Sequence, residues 1–387
     1  MNKVTQTIID SLTETTGEKV LSLYVPMHKE ATAATAKVDQ ARYRTIVSKG
    51  LEQWESQTSP DNIKLAKQTL EATANDIDFW KESRKSLAIF ASSTAVEFVS
   101  LPLETSEYVF VGDSFDLAPL KVAYSQEQPF YLLALAKHHP KLFRGDSYGL
   151  EAIDIDFPDS PEDALNIDEM FSGSNTVRGV GTKGGGNDML STHGQGDSNH
   201  AGQEEHLKYL RIIDNKIIKT ESIDSGLPLV LAATETEASD FKHISNYPHL
   251  LSNYVPGNHT VTAPQQLHQL AWDVIVSEIT QPKVTALVDR FNEGKGVQKA
   301  SSDLDSIAEA VAASRVDVLL LGILEKTNDS VSDSTEPDSP LIRLQETYLT
   351  NRMCELVNEV SAQGGAIVGV DPELLATPTM VGALYRY

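Results

Sequence analysis

A glycine-rich stretch in the middle of the chain, Arg178–Gln203, holds the residues whose types and spacing could do chemistry. Its centre reads His193-Gly194-Gln195-Gly196. So many glycines leave a backbone with few side chains to hold it, and such a backbone can come close to another molecule. Glutamine can position water, and the side chains of Arg178 and Lys183 can meet phosphate groups. Two interpretations stay open: a segment that reaches into a deep polar site, or a linker without fixed structure.

A second candidate is Gly145-Asp146-Ser147-Tyr148-Gly149, which fits the nucleophile elbow of serine hydrolases. The elbow holds its serine on a strained turn between a strand and a helix. Here the residues that follow, 152–157, are typical of a strand, so the glycines predict a hairpin turn instead. Ester hydrolysis through Ser147 is kept as an alternative.

The sequence predicts neither a cofactor nor a metal. Gly179, Gly181 and Gly184 have dinucleotide-fingerprint spacing, but no strand precedes them and no helix opens directly after them. No phosphate-binding loop of the Gly-Lys-Ser or Gly-Lys-Thr type occurs. The histidines and carboxylates of the stretch match no compact zinc pattern; they are Asp188, His193, Asp197, His200 and His206.

Composition limits the class of protein. The chain has 387 residues, which suggests two or three domains, and a net charge of −23, which argues against unspecific nucleic-acid binding but leaves room for a local basic patch. One cysteine, Cys354, excludes an internal disulfide and any multi-cysteine metal site. Met1–Leu12 lacks a basic start and an apolar run, and no stretch is long enough to cross a bilayer. We therefore expect a cytoplasmic protein with no membrane partner.

The elements that must position these residues form three predicted domains of an α/β (α+β) multidomain protein. Domain one, 1–126, has strands at 20–25, 86–91, 96–101 and 108–111 and helices at 31–54 and 62–80. Domain two, 127–278, has an antiparallel meander at 130–136, 141–144 and 152–157, a flexible loop at 158–202, helices at 203–219, 235–244 and 265–278, and a strand at 228–233.

Domain three, 279–387, alternates helix and strand. Helices are predicted at 302–313 and from Ser339-Pro340 to Val360, strands at 316–323, 366–370 and 383–387, and a surface loop at 328–340. This order predicts a small α/β/α layer domain. Asn253, Gly257 and Asn258 around Pro256 are predicted to form a loop between layers.

From about Phe130 onward the sequence resembles the two C-terminal domains of archaeal and eukaryotic class-one peptide release factors and of Pelota, and is similar to their bacterial relatives. The similar segments come in the same order: Phe130–Gly149 as opening hairpin, His193–Gly196 as glycine-rich loop, 203–219 as the long helix after it, Gly226–Phe241 as the following strand and helix start, and 302–321 with Gly382–Tyr387 as parts of a third domain.

The resemblance implies a release-factor-like middle domain with a mixed sheet and a C-terminal domain built like ribosomal protein L7Ae. It implies the ribosome as partner, through rRNA and tRNA, and a translational GTPase as a further partner. The loop residues that it nominates for ribosome or RNA contact are Arg178, Lys183, His193, Gly194, Gln195, Gly196, Gly202 and Gln203. No residue is nominated as catalytic, since the family's Gly-Gly-Gln is not reproduced; the nearest matches are Gly194-Gln195-Gly196 and Ala201-Gly202-Gln203.

Three hypotheses follow. The first is a ribosome-associated factor in rescue or dormancy, whose glycine-rich loop is directed toward the peptidyl-transferase centre. The second is a hydrolase, of peptidyl-tRNA through Gln195 or Gln203, or of another ester through Ser147. The third is a protein-interaction scaffold that does not bind ribosomes. The first is preferred, because the ordered resemblance supports it.

Overall fold

The structure is a computed structural model, and it describes residues 2–15, 18–28, 32–81, 85–164, 195–322, 351–375 and 380–387. In 195–202 and 351–352 it describes the backbone alone. The chain forms two compact units, one of residues 1–127 and 282–387 and one of residues 128–281. The predicted mixed α/β, multidomain fold class is confirmed. The division into three domains and the L7Ae-like form of the third stay predictions. The loop predicted at 158–202 is wrong at both ends, since residues 161–164 form a helical turn and residues 195–202 belong to a helix, while residues 165–194 lie outside the described residues.

The helices and strands follow one another in mixed order. In chain order they are β1 (Asn2–Lys3), α1 (Gln6–Thr13), β2 (Val20–Pro26), α2 (Ala33–Glu55), α3 (Pro60–Ala74), β3 (Ser86–Ala91), β4 (Val96–Leu101), β5 (Tyr108–Gly112), α4 (Ala118–Ser125), β6 (Phe130–Ala134), β7 (Lys141–Gly145), β8 (Leu150–Ile153), α5 (Gln195–Lys219), β9 (Leu229–Ala233), α6 (Glu235–Ile244), β10 (Leu250–Pro256), α7 (Pro264–Ile275), α8 (Gln281–Lys295), β11 (Ala300–Ser301), α9 (Leu304–Ala312), β12 (Val316–Gly322), α10 (Asn351–Ala362), β13 (Ala366–Val370), α11 (Pro372–Leu375) and β14 (Val381–Tyr385).

The first unit contains a five-stranded sheet in the order β1-β4-β3-β2-β5. Neighbours are antiparallel, except that β1 and β4 are parallel. Alternation along β2 sends Leu21, Leu23 and Val25 to one face, against α2 and α3, and Val20 and Tyr24 to the other. The strands and helices predicted for this region are therefore present.

The second sheet of the first unit has the order β11-β14-β12-β13. Strands β12 and β13 are parallel, and β12 and β14 are antiparallel. Ile307 of α9 and Val357 of α10 belong to the same buried cluster as Tyr24 and Leu120. The two stretches of the first unit therefore share one core. On the other face, Val288 and Phe291 of α8 pack against the sheet, a helix that the sequence did not predict.

The second unit contains a mixed sheet in the order β10-β9-β6-β7-β8. Strands β10, β9 and β6 are parallel, while β6, β7 and β8 form the predicted antiparallel meander. Helices α5 and α6 cover one face of this sheet and α7 covers the other. In the described ranges no helix is long and apolar enough for a bilayer.

Several predicted boundaries are wrong for local reasons. Helix α3 ends at Ala74, not at Trp80, because the Asp76 side chain accepts from the backbone N–H of Asp78 and starts a separate 3₁₀ turn. Strand β8 ends at Ile153. Helix α7 ends at Ile275 and a π-helical turn, Val276–Thr280, follows it. Pro282 explains that turn, because proline cannot donate to the carbonyl four residues earlier.

The loop predicted around Pro256 is also wrong, because Asn253 and Pro256 belong to strand β10. This strand lies at the edge of the sheet, so one side of its backbone has no neighbouring strand within the described part of the chain. The Glu278 carboxylate accepts there from the N–H groups of Ser252 at 3.0 Å and Asn253 at 2.6 Å. By accepting these hydrogen bonds, the carboxylate satisfies backbone N–H groups of the edge strand and keeps another strand from pairing with them.

The predicted loop at 328–340 and the predicted helix start at Ser339-Pro340 lie outside the described residues. Helix α10 is described from Asn351 to Ala362, and the predicted stop is present, with Gly364 at a φ of 74°. This left-handed conformation is the one that favours glycine after a helix.

Candidate functional site

The candidate site of the second unit lies at one edge of its sheet. Strands β6, β9 and β10 are parallel, so their carboxyl ends, at Ala134, Ala233 and Pro256, meet at the same edge. Helix α5 ends before β9 begins and packs on the sheet through Tyr209, Leu210, Ile213 and Ile217, so its N-terminal part extends beyond this carboxyl edge. The carboxyl ends of parallel strands are where α/β sheets commonly bind other molecules.

The structure places only some of the predicted contact residues. Arg178, Lys183, His193 and Gly194 lie outside the described residues. Gln195, Gly196 and Gly202 belong to the backbone of α5, and Gln203 is exposed on that helix.

The predicted start of this helix at Gln203 is therefore wrong, because the helix begins eight residues earlier, at Gln195. Glycine costs a helix roughly 1 kcal/mol per residue. That cost is tolerated here, because each residue added to an existing helix gains a hydrogen bond.

Apolar residues hold α5 on the sheet. Leu210, Ile213 and Ile217, three of the four residues whose spacing predicts the helix, are fully buried against β6 and β9, and Leu207 is half-buried. Tyr209 belongs to the same cluster, together with Phe241 of α6. The apolar repeat thus fixes which side of α5 faces the core, as its period predicts.

A buried carboxylate gives α5 its second attachment. Asp214 is 2 % exposed and accepts from Ser245 Oγ at 2.6 Å and from the Asn246 N–H at 2.9 Å, both directly after α6. A buried carboxyl group with two hydrogen-bond donors holds its position more specifically than apolar contact does, because any other position would leave the group unpaired. Sequence reasoning missed Asp214; the signal was an aspartate within the apolar repeat, next to Ile213.

Two further side chains of α5, Lys216 and Tyr209, show which groups lie around the site. Lys216 donates to the backbone carbonyl of Asp156 and lies 3.4 Å from its carboxylate, which ties α5 to the segment after β8. The Tyr209 hydroxyl is buried and has no hydrogen-bond partner among the described residues. Burial, and then the negative charges of Glu237, Asp159 and Asp163, raise the pKa of Tyr209, so the phenol stays neutral. Acidic groups therefore collect around Tyr209, in the middle of α5.

Of the five residues considered for a metal, the structure describes the side chain of His206 alone. Asp188 and His193 lie outside the described residues, and the side chains of Asp197 and His200 are not described. His206 lies 3.9 Å from the Asp240 carboxylate, on α6. Across the described ranges, no group of three or more histidine, cysteine or acidic side chains could hold a metal ion.

The Gly145–Gly149 sequence forms a hairpin turn between β7 and β8, as predicted, and β8 follows it where an elbow would need a helix. The Asp146 carboxylate accepts from the N–H groups of Tyr148 at 2.8 Å and Gly149 at 3.0 Å. Gly145 is needed because a Cβ there would lie 2.4 Å from the Phe130 ring. The aspartate thus forms the turn, Gly145 allows the close approach of Phe130, and Ser147 is not on a nucleophile elbow.

Comparison with known families gives one match. Residues 129–315, just under half of the chain, match the family described as bacterial archaeo-eukaryotic release factor family 3. The match begins at β6 and includes the carboxyl edge and α5. It confirms the predicted relationship to the bacterial relatives of archaeal and eukaryotic release factors. No curated protein matches the sequence.

Solved structures of low identity are also similar over most of the chain. Pelota from Archaeoglobus fulgidus is 14 % identical, with 78 % of this chain and 79 % of that chain covered and a TM-score of 0.33. Dom34 from S. cerevisiae, described as a translation termination-like factor that interacts with Hbs1, is 14 % identical, with 82 % and 77 % covered and a TM-score of 0.35. The archaeal translation termination factor aRF1 is 12 % identical, with 98 % and 96 % covered and a TM-score of 0.24. At these scores none of them carries an argument about function.

Proposed function

We propose that this protein is a ribosome-associated translation factor that acts in rescue or dormancy, with the Arg178–Gln203 segment directed toward the peptidyl-transferase centre. The match of residues 129–315 to a release-factor family carries this proposal. The attachment of α5 supports it, because a helix held by a buried apolar face and by Asp214 is a rigid base for the segment that precedes it. A translational GTPase is the second partner that the family resemblance suggests.

The proposed role is positional rather than catalytic. Gly-Gly-Gln is absent from the segment, and Gln195 and Gln203 both belong to α5. A glutamine can position water but is no useful general base, so any hydrolysis would depend on the ribosome. A cytoplasmic location follows from a ribosomal partner.

Sedimentation tests the partner. We expect the protein to co-sediment with ribosomes in sucrose gradients of extracts from growing, starved or cold-stressed cells, with less association at higher salt. A protein that stays at the top of the gradient in all three states would support the scaffold hypothesis instead.

An internal deletion tests the segment. Removing residues 178–194 leaves α5 whole, and we expect it to reduce ribosome association strongly. Deletion of 328–340, the acidic segment predicted to be a surface loop, is the matched control and should leave association in place. Equal association of both deletion variants would contradict the proposed role of the Arg178–Gln203 segment.

A release assay separates the second hypothesis from the first. We expect ribosomes loaded with peptidyl-tRNA to bind the protein without releasing the peptide. Release by the wild-type protein that is lost in Gln195→Ala or Gln203→Ala would establish hydrolysis and reject a purely positional role.

A further inference from the structure

A short basic turn lies at the carboxyl edge of the sheet in the second unit. It joins β6 to β7 and reads Lys137-His138-His139-Pro140-Lys141, two lysines and two histidines without an acidic residue. The whole chain has 55 acidic and 32 basic residues, so such a run stands out locally against the charge of the protein. A basic patch within an acidic protein binds anions at that place while the overall field repels them elsewhere.

The turn is held in a fixed conformation and presents its side chains to solvent. Lys137, His138, His139 and Lys141 are exposed, while Pro140 is buried. His139 has a φ of 51°, which makes the chain turn sharply. The Lys141 Nζ donates to the carbonyl of Thr260 at 2.9 Å, in the loop after β10. The two strands that the turn connects are paired up to Ala134 and Lys141. The basic groups are therefore displayed by a rigid element.

An acidic segment, Asp159–Asp163, lies against this turn. The His139 N–H donates to the Asp159 carbonyl at 2.9 Å, and the His139 ring Nδ1 lies 2.9 Å from the Asp159 carboxylate. Hydrogen bonds from its own backbone N–H and from Ser160 lower the pKa of Glu162, and the charges of Lys137 and His138 add to this effect.

The acidic segment is itself ordered. The Ser160 Oγ accepts from the Asp163 N–H at 3.1 Å, and residues 161–164 form a helical turn whose Ala164 is buried.

We propose that the turn Lys137–Lys141 is a contact site for RNA phosphates, and that the acidic segment Asp159–Asp163 occupies it until RNA displaces the carboxylates. This inference rests on the proposed function, which gives the protein the ribosome, and so ribosomal RNA, as its partner. Carboxylates and phosphates are recognised by the same cationic donors, so one can replace the other. His139 and Asp159 are 69 % and 70 % exposed, and an exposed pair of this kind is weak enough to exchange.

Because the acidic segment competes with RNA for the turn, RNA binds there only when the local concentration of its phosphates is high. In solution the acidic segment and the net charge of −23 both oppose phosphate. On a ribosome, binding of the rest of the protein would hold phosphates beside the turn, and the exchange would then favour RNA. Removing the carboxylates should therefore expose an RNA affinity that the wild-type protein conceals.

The test uses the full-length protein and a short fluorescein-labelled single-stranded RNA, with binding measured by anisotropy across a salt series. We expect the variant Asp159→Asn with Glu162→Gln to bind roughly two- to fivefold more tightly than wild type, the factor that an exposed ion pair supports. Adding Lys137→Gln and His138→Gln should abolish this gain and reduce the slope of log affinity against log salt by about 0.7 for each phosphate that the protein no longer neutralises.

Two controls match the charge changes at other places. Glu52→Gln with Glu71→Gln removes two negative charges from exposed positions on α2 and α3, and Lys219→Gln removes a positive charge at the far end of α5. We expect the Glu52 and Glu71 control to raise RNA affinity less than the acidic-segment variant does. We expect Lys219→Gln to lower it less than Lys137→Gln with His138→Gln does. A gain in the Glu52 and Glu71 control equal to that of the acidic-segment variant would overturn the inference, because net charge alone would explain the result. The inference would also be overturned if the variant Asp159→Asn with Glu162→Gln bound no RNA.

Co-sedimentation with purified ribosomes separates this inference from the proposed function. Wild-type protein that fails to bind ribosomes would contradict the proposed function, whatever the RNA affinities are. Wild-type protein that binds ribosomes, together with a Lys137→Gln, His138→Gln variant that binds them equally well, would contradict the inference about the turn alone. We expect ribosome binding by wild type and clearly weaker binding by that variant.

Discussion

The interior of the first unit and the carboxyl edge of the second unit use charged side chains in opposite ways. In the first unit, Asp116 is 2 % exposed and Lys121 is 4 % exposed. The Lys121 Nζ donates to Asn358 Oδ1 at 2.8 Å and so connects α4 to α10 within the shared core. At the carboxyl edge, His139 and Asp159 pair in nearly full contact with solvent.

Burial accounts for the difference in chemistry. It raises the pKa of Asp116 to about 6 and lowers the pKa of Lys121 to about 8, and the attraction between the two charges does not offset it. Buried groups such as Asp116 and Lys121 are costly to ionise, and their hydrogen bonds fix the packing between the two stretches of chain that share the core. An exposed pair costs little and can be replaced by another ion. The comparison predicts that mutations of buried charges change stability, whereas mutations at the edge change binding.

The largest effect is expected at Asp214, the buried carboxylate that attaches α5. Asp214→Ala should lower the free energy of unfolding by about 3 to 5 kcal/mol, because the Ser245 hydroxyl and the Asn246 N–H both lose their buried acceptor. Urea unfolding checks it. The control Asn215→Ala, whose exposed side chain donates to the Arg211 carbonyl, should cost less than about 1 kcal/mol. Similar losses for both variants would contradict the assigned role of Asp214.

The next effect concerns pH and Lys121. Its pKa is lowered from 10.5 to about 8, so between these values the unfolded chain binds more protons than the folded one. The free energy of unfolding should therefore rise through this window, by up to about 3 kcal/mol. Lys121→Met should remove that rise. Urea titrations at about pH 8 and about pH 10 measure it; a rise of equal size in both proteins would show that other groups cause it.

A somewhat smaller effect of opposite sign is expected at Asp116. Its pKa is raised from 3.8 to about 6, so between these values the folded chain binds more protons and stability falls as pH rises. At neutral pH, Asp116→Asn should stabilise the protein by at most about 2 kcal/mol: an asparagine keeps an acceptor for the Ala118 N–H without the buried charge, but Lys121 loses its attraction to that charge. Thermal unfolding at neutral pH is the measurement, and a lower melting temperature would refute the expectation.

The smallest change in stability is expected at the exposed pair. Asp159→Asn should alter the free energy of unfolding by less than about 1 kcal/mol, because water and salt screen the contact with His139. Chemical denaturation of this variant beside His139→Gln checks it. A loss well above that value would mean that the acidic segment is a structural part of the edge, and not a replaceable cover.

Most secondary structure could be predicted from the sequence where one face of an element is apolar. The repeat of Leu207, Leu210, Ile213 and Ile217 predicts α5, and the continuous apolar run of β12 predicts a buried strand, since burial imposes these patterns directly. The pattern fails at β10, whose exposed edge needs no apolar alternation and whose N–H groups are satisfied by Glu278.

The candidate site was predictable only in part. The sequence shows the glycine-rich stretch and its resemblance to the release-factor loop. It does not show that α5 starts at Gln195, because the local glycine content predicts a loop there. The partners of Asp214 and His139 lie 31 and 20 residues away in the chain, so no spacing rule indicates them. Parallel strands bring these distant segments to one edge.

The sequence by itself determined most elements that have an apolar face, and which family the region from Phe130 resembles, because periodicity and local motifs are properties of neighbouring residues. Only the tertiary structure decided that the first and last parts of the chain share one core, and that an acidic segment lies against a basic turn. Those outcomes depend on contacts between residues far apart in the chain, where burial and charge, not spacing, determine which groups meet.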